Sequence, residues 1–237
     1  MPGSVPAAAA WRCDTCCGPK SPEFPRCYGC RQLFGESPQE LATCIVPITS
    51  APEDGGAWYS TLISYKQTDK TRWPFLTAVV GGFIETHRQR IDALLGGEAE
   101  FLCVVPSTRG VDTNKQPLMQ IARLVSAQGE EIPEAKPLLV HSGQPKQRNR
   151  YNPDLYYVQD PDLVRARRII LLDDSWASGA SAISAAGVLL DRRAAAVIVL
   201  PIARLYNANY WDAQLGSDNG YSRAMKRRWQ VDQWPKN

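Results

Sequence analysis

The sequence predicts an α/β protein, a mainly parallel sheet flanked by helices, with a small zinc-ribbon or knuckle module at its N-terminal side. Three observations predict it. Near-continuous apolar runs of strand length recur as FLCVV (101–105), IILLD (169–173) and AVIVLPI (196–202), the pattern of strands buried on both faces. Segments of helical period separate them. Five of the seven cysteines lie between 13 and 30, where clustering in a chain without a secretory signal points to metal rather than disulfides.

The elements follow in chain order. Residues 1–12 read as a disordered leader and 13–36 as the cysteine module. SPQEL (37–41) and TSAPEDGG (49–56) are turn-rich joints, so the module ends between 36 and 56 and the main domain spans 57–205. WYSTLISYKQ (58–67) is a short apolar-periodic element of either type. Thr71 can cap one long helix from Pro74 to Leu95, which Gly96-Gly97 stops. After the 101–105 strand, Pro106 begins a loop. Leu118, Ile121, Ala122 and Val125 then recur at helical spacing. LLV (138–140) and LYYV (155–158) are short strands around a basic, turn-rich loop, SGQPKQRNRYNPD (142–154), which reads as mobile. Ile183, Ala186, Gly187 and Leu190 give the next helix its apolar face. The tail, 206–237, is rich in Tyr, Trp and Arg without a clear period.

The 169–173 strand raises the chemical question. It runs into Asp173 and Asp174, and SWASGAS follows at once. Adjacent carboxylates at the end of a buried strand repel and lose hydration, which is costly without compensation. Parallel sheets bind ligands at the carboxyl ends of their strands. Two acids there can accept hydrogen bonds from vicinal hydroxyls. Gly179, the hydroxyls of Ser178 and Ser181 and the free N–H groups of a helix start suit a phosphate. A ribose phosphate fits both halves. The plain alternative is a structural strand–turn–helix with Asp174 as a cap.

The cysteines form two C-x-x-C pairs, Cys13/Cys16 and Cys27/Cys30, separated by ten residues. Two such knuckles make a closed, structural four-cysteine zinc site. Cys17 is a fifth thiol that can compete with Cys16, while Cys44 and Cys103 sit in apolar runs and read as core. Two readings of the module stand. It can touch single-stranded nucleic acid through Trp11, Phe24, Tyr28, Lys20, Arg26 and Arg31, or act as a folding staple or protein-contact knob. His87 and His141 have no evident catalytic partner. No Ser-His-Asp arrangement, Walker loop or dinucleotide glycine pattern stands out.

IILLDDSWASGAS resembles the binding signature for phosphoribosyl pyrophosphate (PRPP) of the type I phosphoribosyltransferases: four apolar residues, two acids, two variable residues and a Thr-Thr-Gly-x-Thr-like loop. Here the loop is Ala177-Ser178-Gly179-Ala180-Ser181. Ala177 lacks one hydroxyl of the pattern, and Trp176 is bulky at a variable place, where it could shape the pocket. The resemblance implies that Asp173 and Asp174 hold the ribose hydroxyls, that 177–181 wrap the 5′-phosphate, and that Mg²⁺ accompanies PRPP. It places Ser107, Thr108, Arg109 and Gly110 against the pyrophosphate, with Lys146, Arg148 and Arg150 closing over it and Arg109 assisting catalysis. Lys66 is a weaker candidate.

A more specific resemblance is to the ComF-like, competence-associated subgroup, which joins a four-cysteine zinc module to such a domain. Tyr65-Lys66, with the pair in reversed order, Arg109-Gly110 and Arg148 to Asn152 carry it. It covers 13–205. It implies phosphoribosyl transfer to a small-molecule acceptor, a nitrogen nucleophile. The alternative is a non-catalytic PRPP- or nucleotide-binding accessory protein in DNA uptake or processing, whose module contacts single-stranded DNA or a DNA-processing protein. A homodimer is compatible with either.

Composition narrows the field. Apolar residues make up 44% and charged residues 22% of the chain, ordinary for a globular protein. The formal charge of +3 is too small to imply a nucleic-acid partner by itself. Four thiolates and one Zn²⁺ together add −2, which takes +3 to +1. No segment approaches the ~20 apolar residues of a membrane helix, so no membrane insertion and a cytoplasmic location are expected.

Overall fold

The computed structural model describes residues 12–34, 42, 44–53, 55–66, 70–108, 112–147 and 149–215. The leader up to Trp11, Arg109, Gly110, Arg148 and the tail from 216 lie outside them.

The centre is a sheet of parallel strands. In chain order its members are β1 (Cys44–Ile45), β2 (Thr49–Pro52), β3 (Phe101–Val104), β4 (Glu134–Ala135), β7 (Arg168–Trp176) and β8 (Ala196–Tyr206). The spatial order is β1-β8-β7-β3-β4, with β2 also on β8. β1 and β2 pair with β8 in one register, Cys44 opposite Ile198 and Thr49 opposite Ala203. They form one edge strand interrupted around Pro47, a residue that edge positions tolerate because it has no N–H to donate. Residues 49–52, part of the turn-rich 49–56 joint by sequence, therefore belong to the main sheet, as do 44–45.

The apolar runs are explained by burial on both faces. Ile169, Leu171, Val197 and Val199 lie in one core cluster, and Ile170, Leu172, Ile198 and Leu200 in the other, as side chains alternate along a strand. The second face carries α3 (Trp73–Thr86), α4 (Arg88–Leu95) and α5 (Pro117–Ser126). The first carries α7 (Ala180–Asp191) and the cysteine module with α1 (Tyr28–Phe34). α2 (Ala57–Ser64) resolves the ambiguous 58–67 segment as helix, α6 (Pro161–Val164) is a single turn, and α8 (Ala208–Leu215) follows β8.

Two sequence expectations need correction. The single helix from Pro74 to Leu95 is two, broken at His87, which has non-helical angles (φ −112°, ψ 14°). The break redirects the chain, since α3 packs on α5 and α4 on β8. Thr71 is not the cap of α3: it lies in a short 3-10 turn, and α3 starts after Arg72 without a side-chain cap. The short strands at 138–140 and 155–158 do not join the parallel sheet. As β5 (Leu139–His141) and β6 (Tyr156–Val158) they pair antiparallel with each other. The loop between them is tied to α7, where the Asn152 N–H donates to Ser184 Oγ at 2.9 Å and Tyr151 covers Gly187.

Candidate functional site: paired acids, a small-residue loop and a four-sulfur cluster

β7 carries the paired acids into a cleft of about 390 Å³, a small-molecule size. Pro201 on β8, which lacks an N–H, stands opposite Asp173, and the ladder resumes only at Ser175 and Ala203. The sheet is thus opened where the carboxylates sit.

Their compensation is built into the protein. Lys66 Nζ forms an ion pair with Asp174 Oδ2. Tyr65 Oη donates to the same oxygen at 2.8 Å, and Ser175 Oγ donates to Oδ1 at 2.8 Å. Burial and the Asp174 charge push the Tyr65 phenol well above its usual range, so it stays a donor. Asp173 receives the Asp174 N–H at 2.9 Å. Burial first, then the Asp174 charge, push Asp173 up to about 7. Asp173 therefore keeps its proton to a higher pH than an ordinary carboxyl.

The small-residue loop wraps the next side of the cleft. Ala177, Ser178, Gly179, Ala180 and Ser181 all line it, and α7 begins at Ala180. Gly179 is required for two reasons that differ from close approach to a ligand. Its φ is +82°, and a Cβ there would overlap Trp176 Cζ2. Trp176 is fully buried beneath the loop rather than shaping the pocket wall.

Ser107 and Thr108 line the facing wall, and Lys146 reaches the cleft. Arg109, Gly110 and Arg148 fall outside the described residues. Arg150 is exposed and does not line the cleft. Sequence reasoning missed two wall residues. Buried Gln116 accepts the Ser107 N–H at 2.7 Å through Oε1 and so orders the loop. Its one signal is Pro117, which marks the start of α5. Tyr156 is buried and donates to the Pro106 carbonyl at 3.3 Å. Strand alternation in LYYV separates it from exposed Tyr157.

The cysteine module contains the second cluster. The sulfurs of Cys13, Cys16, Cys27 and Cys30 lie within 4.8 Å of one another, all buried, and none is in a disulfide. The Cys13 carbonyl accepts the Cys17 N–H at 3.0 Å, and the Gly18 carbonyl accepts the Cys13 N–H at 2.8 Å, closing the first knuckle. The second runs into α1. Cys16 and Cys27 Sγ are 3.6 Å apart; tetrahedral Zn–S bonds of ~2.3 Å require about 3.8 Å. The donor set and its spacing fit a zinc-type ion. Hydrogen bonds from the neighbouring thiols push Cys27 far below the usual thiol range, which readies it as a thiolate. Cys17 stays outside this cluster, and burial pushes it up to about 11.

The module's surface is less basic than its sequence. Lys20 is buried, and Arg31 lies over the Phe24 ring at 3.7 Å. Tyr28 is 64% exposed. Cys44 and Cys103 are core. His141 Nδ1 accepts the Gly143 N–H at 3.1 Å and its ring packs on Tyr156.

Comparison with protein-family models, curated proteins and solved structures finds no match to this chain. Among the described residues, no helix is long and apolar enough to cross a membrane.

Proposed function

We propose that this protein binds PRPP with Mg²⁺ and transfers its phosphoribosyl group to a nitrogen nucleophile, as the resemblance to type I, ComF-like phosphoribosyltransferases implies. The observation that carries the reading is the convergence of Asp173, Asp174 and the 177–181 loop with Ser107, Thr108 and Lys146 on one cleft. Asp173 and Asp174 accept the ribose hydroxyls. The loop's N–H groups and the Ser178 and Ser181 hydroxyls take the 5′-phosphate. Ser107, Thr108 and Lys146 take the pyrophosphate. Mg²⁺ bound together with PRPP would supply charge neutralisation.

In the reaction the bond from ribose C1 to pyrophosphate oxygen breaks, and the electron pair leaves with pyrophosphate. The acceptor nitrogen forms the new bond to C1 and releases its proton to solvent. Positive charge grows on C1, and the two carboxylates favour it by proximity. Lys66, released from Asp174 when ribose hydroxyls arrive, is within the same cleft and can follow the leaving group. Mixing enzyme, PRPP, Mg²⁺ and a panel of nucleobases tests turnover. Pyrophosphate release that depends on one base supports transfer, and none with any base, despite PRPP binding, sinks it.

One observation favours the non-catalytic reading. A second open groove, lined by Tyr28, Gly29, Glu53, Lys146, Asn149, Ala177 and Ser178, leads from the loop to the cysteine module. It suits a nucleic-acid strand stacking on Tyr28. Salt-dependent binding of a single-stranded oligonucleotide, lost on Tyr28→Ala, would support this reading.

A further inference from the structure

The four-sulfur cluster and the phosphate loop share one buried cation. Arg204, near the end of β8, is 6% exposed. Its Nη1 donates to the Trp176 carbonyl at 2.8 Å, to the Ala177 carbonyl at 3.0 Å and to the Leu205 carbonyl. Two of these acceptors are the peptide units that lead into the loop. Its Nε is buried without a hydrogen-bond partner among the described residues.

The packing is equally tight. A Cβ on Gly18, in the first knuckle, would overlap Arg204 Nε. Gly29, on α1 of the second knuckle, would place a Cβ 3.8 Å from the Ser178 Cα and carbonyl. The first knuckle is therefore closed tightly on Arg204, while the second lies beside Ser178 at ordinary contact distance. Four thiolates around a divalent ion leave a net charge of −2, and such clusters are oriented by outer hydrogen-bond donors.

We propose that Arg204 is a positioning residue that couples the four-cysteine centre to the phosphate loop, so that a metal held by Cys13, Cys16, Cys27 and Cys30 sets the loop's affinity for a sugar phosphate. With metal bound, the first knuckle has a fixed shape and Gly18 packs against one side of the guanidinium, while Nη1 holds the Trp176 and Ala177 carbonyls. Without metal the knuckle loses the ion that fixes it, the guanidinium is less firmly held and the loop loses its preset shape. The coupling is reciprocal, so a sugar phosphate strengthens metal retention by the same factor.

This rests on the proposed ribose-phosphate site, and the test separates the two. The full chain, zinc-loaded or stripped with a chelator under reducing conditions, is titrated with ribose 5-phosphate and separately with inorganic pyrophosphate. Stripping is expected to weaken ribose 5-phosphate about 10-fold and to change pyrophosphate less than about 2-fold. Saturating ribose 5-phosphate should tighten zinc by the same factor in a competition with the chelator. Arg204→Met, which fills similar space but has no N–H to donate to the Trp176 and Ala177 carbonyls, should bind ribose 5-phosphate weakly whether loaded or stripped. Should that variant not fold, the wild-type comparison and the reciprocal measurement carry the test. Equal ribose 5-phosphate affinity with and without zinc overturns the coupling while leaving the site intact. Loss of both ligands together overturns it too, and makes the metal a folding staple. Failure of the zinc-loaded protein to bind either ligand overturns the site itself.

Discussion

Asp174 is the most heavily engaged side chain of the cleft, and its partners define what substitutions there should do. Tyr65→Phe removes a hydrogen bond to a buried charge and should cost about 1.5–3 kcal/mol in denaturant unfolding. Lys66→Ala should cost about 1 kcal/mol or less, because Lys66 is 44% exposed and the pair is screened. Asp173 gives a pH signature. Its folded pKa of about 7 lies above its usual value of 3.8, so the folded state holds a proton that the unfolded state releases. Its contribution to stability is full below about pH 4 and is lost as pH rises towards and through 7. Asp173→Asn should flatten the ligand-free stability profile across that window; an unchanged slope would contradict the burial argument. The need for Gly at 179 comes from its positive φ and the Trp176 ring beneath it. The sequence motif marked the position but not this cause, because Trp176 stood at a variable place in the pattern.

At the scale of elements, β7 and β8 were legible as apolar runs because both faces of the sheet are covered. Both extend past the apolar stretch, to Trp176 and Tyr206, and polarity hid the extension. Leu171→Ala, in the middle of β7 and fully buried, should cost about 2–5 kcal/mol. The break at His87 was not legible: no Pro or Gly marks it, and what directs it is the choice of packing partner, α5 before and β8 after. The separation of β5 and β6 from the main sheet was equally hidden, since three-residue strands carry no information about their partners. The basic loop read as mobile from composition, yet Ser184 on α7 holds its end. Ser184→Ala should speed hydrogen exchange at the Asn152 amide while leaving the β7 amides unchanged; equal exchange would show that the bond does not restrain the loop.

At the scale of the molecule, the spacing of the two C-x-x-C pairs foretold a four-sulfur cluster, because each knuckle is a local structure. That the module sits on the α7 face, with Gly29 against Ser178 and Gly18 against Arg204, could not be read from spacing. Arg204 itself lies two residues past the 196–202 apolar run, where no sequence pattern singles it out. Chelating the metal under reducing conditions should lower the melting temperature, and zinc analysis should find about one ion per chain. The paired acids and the loop after them remain the centre of the functional claim. Calorimetric titration of PRPP with Mg²⁺ into the wild type and the Asp173→Asn/Asp174→Asn double variant, both checked for native circular dichroism, tests it most directly. Saturable heat in the wild type that vanishes in the variant is the expected result, and absence of binding to the folded wild type, or equal binding to both, would contradict it.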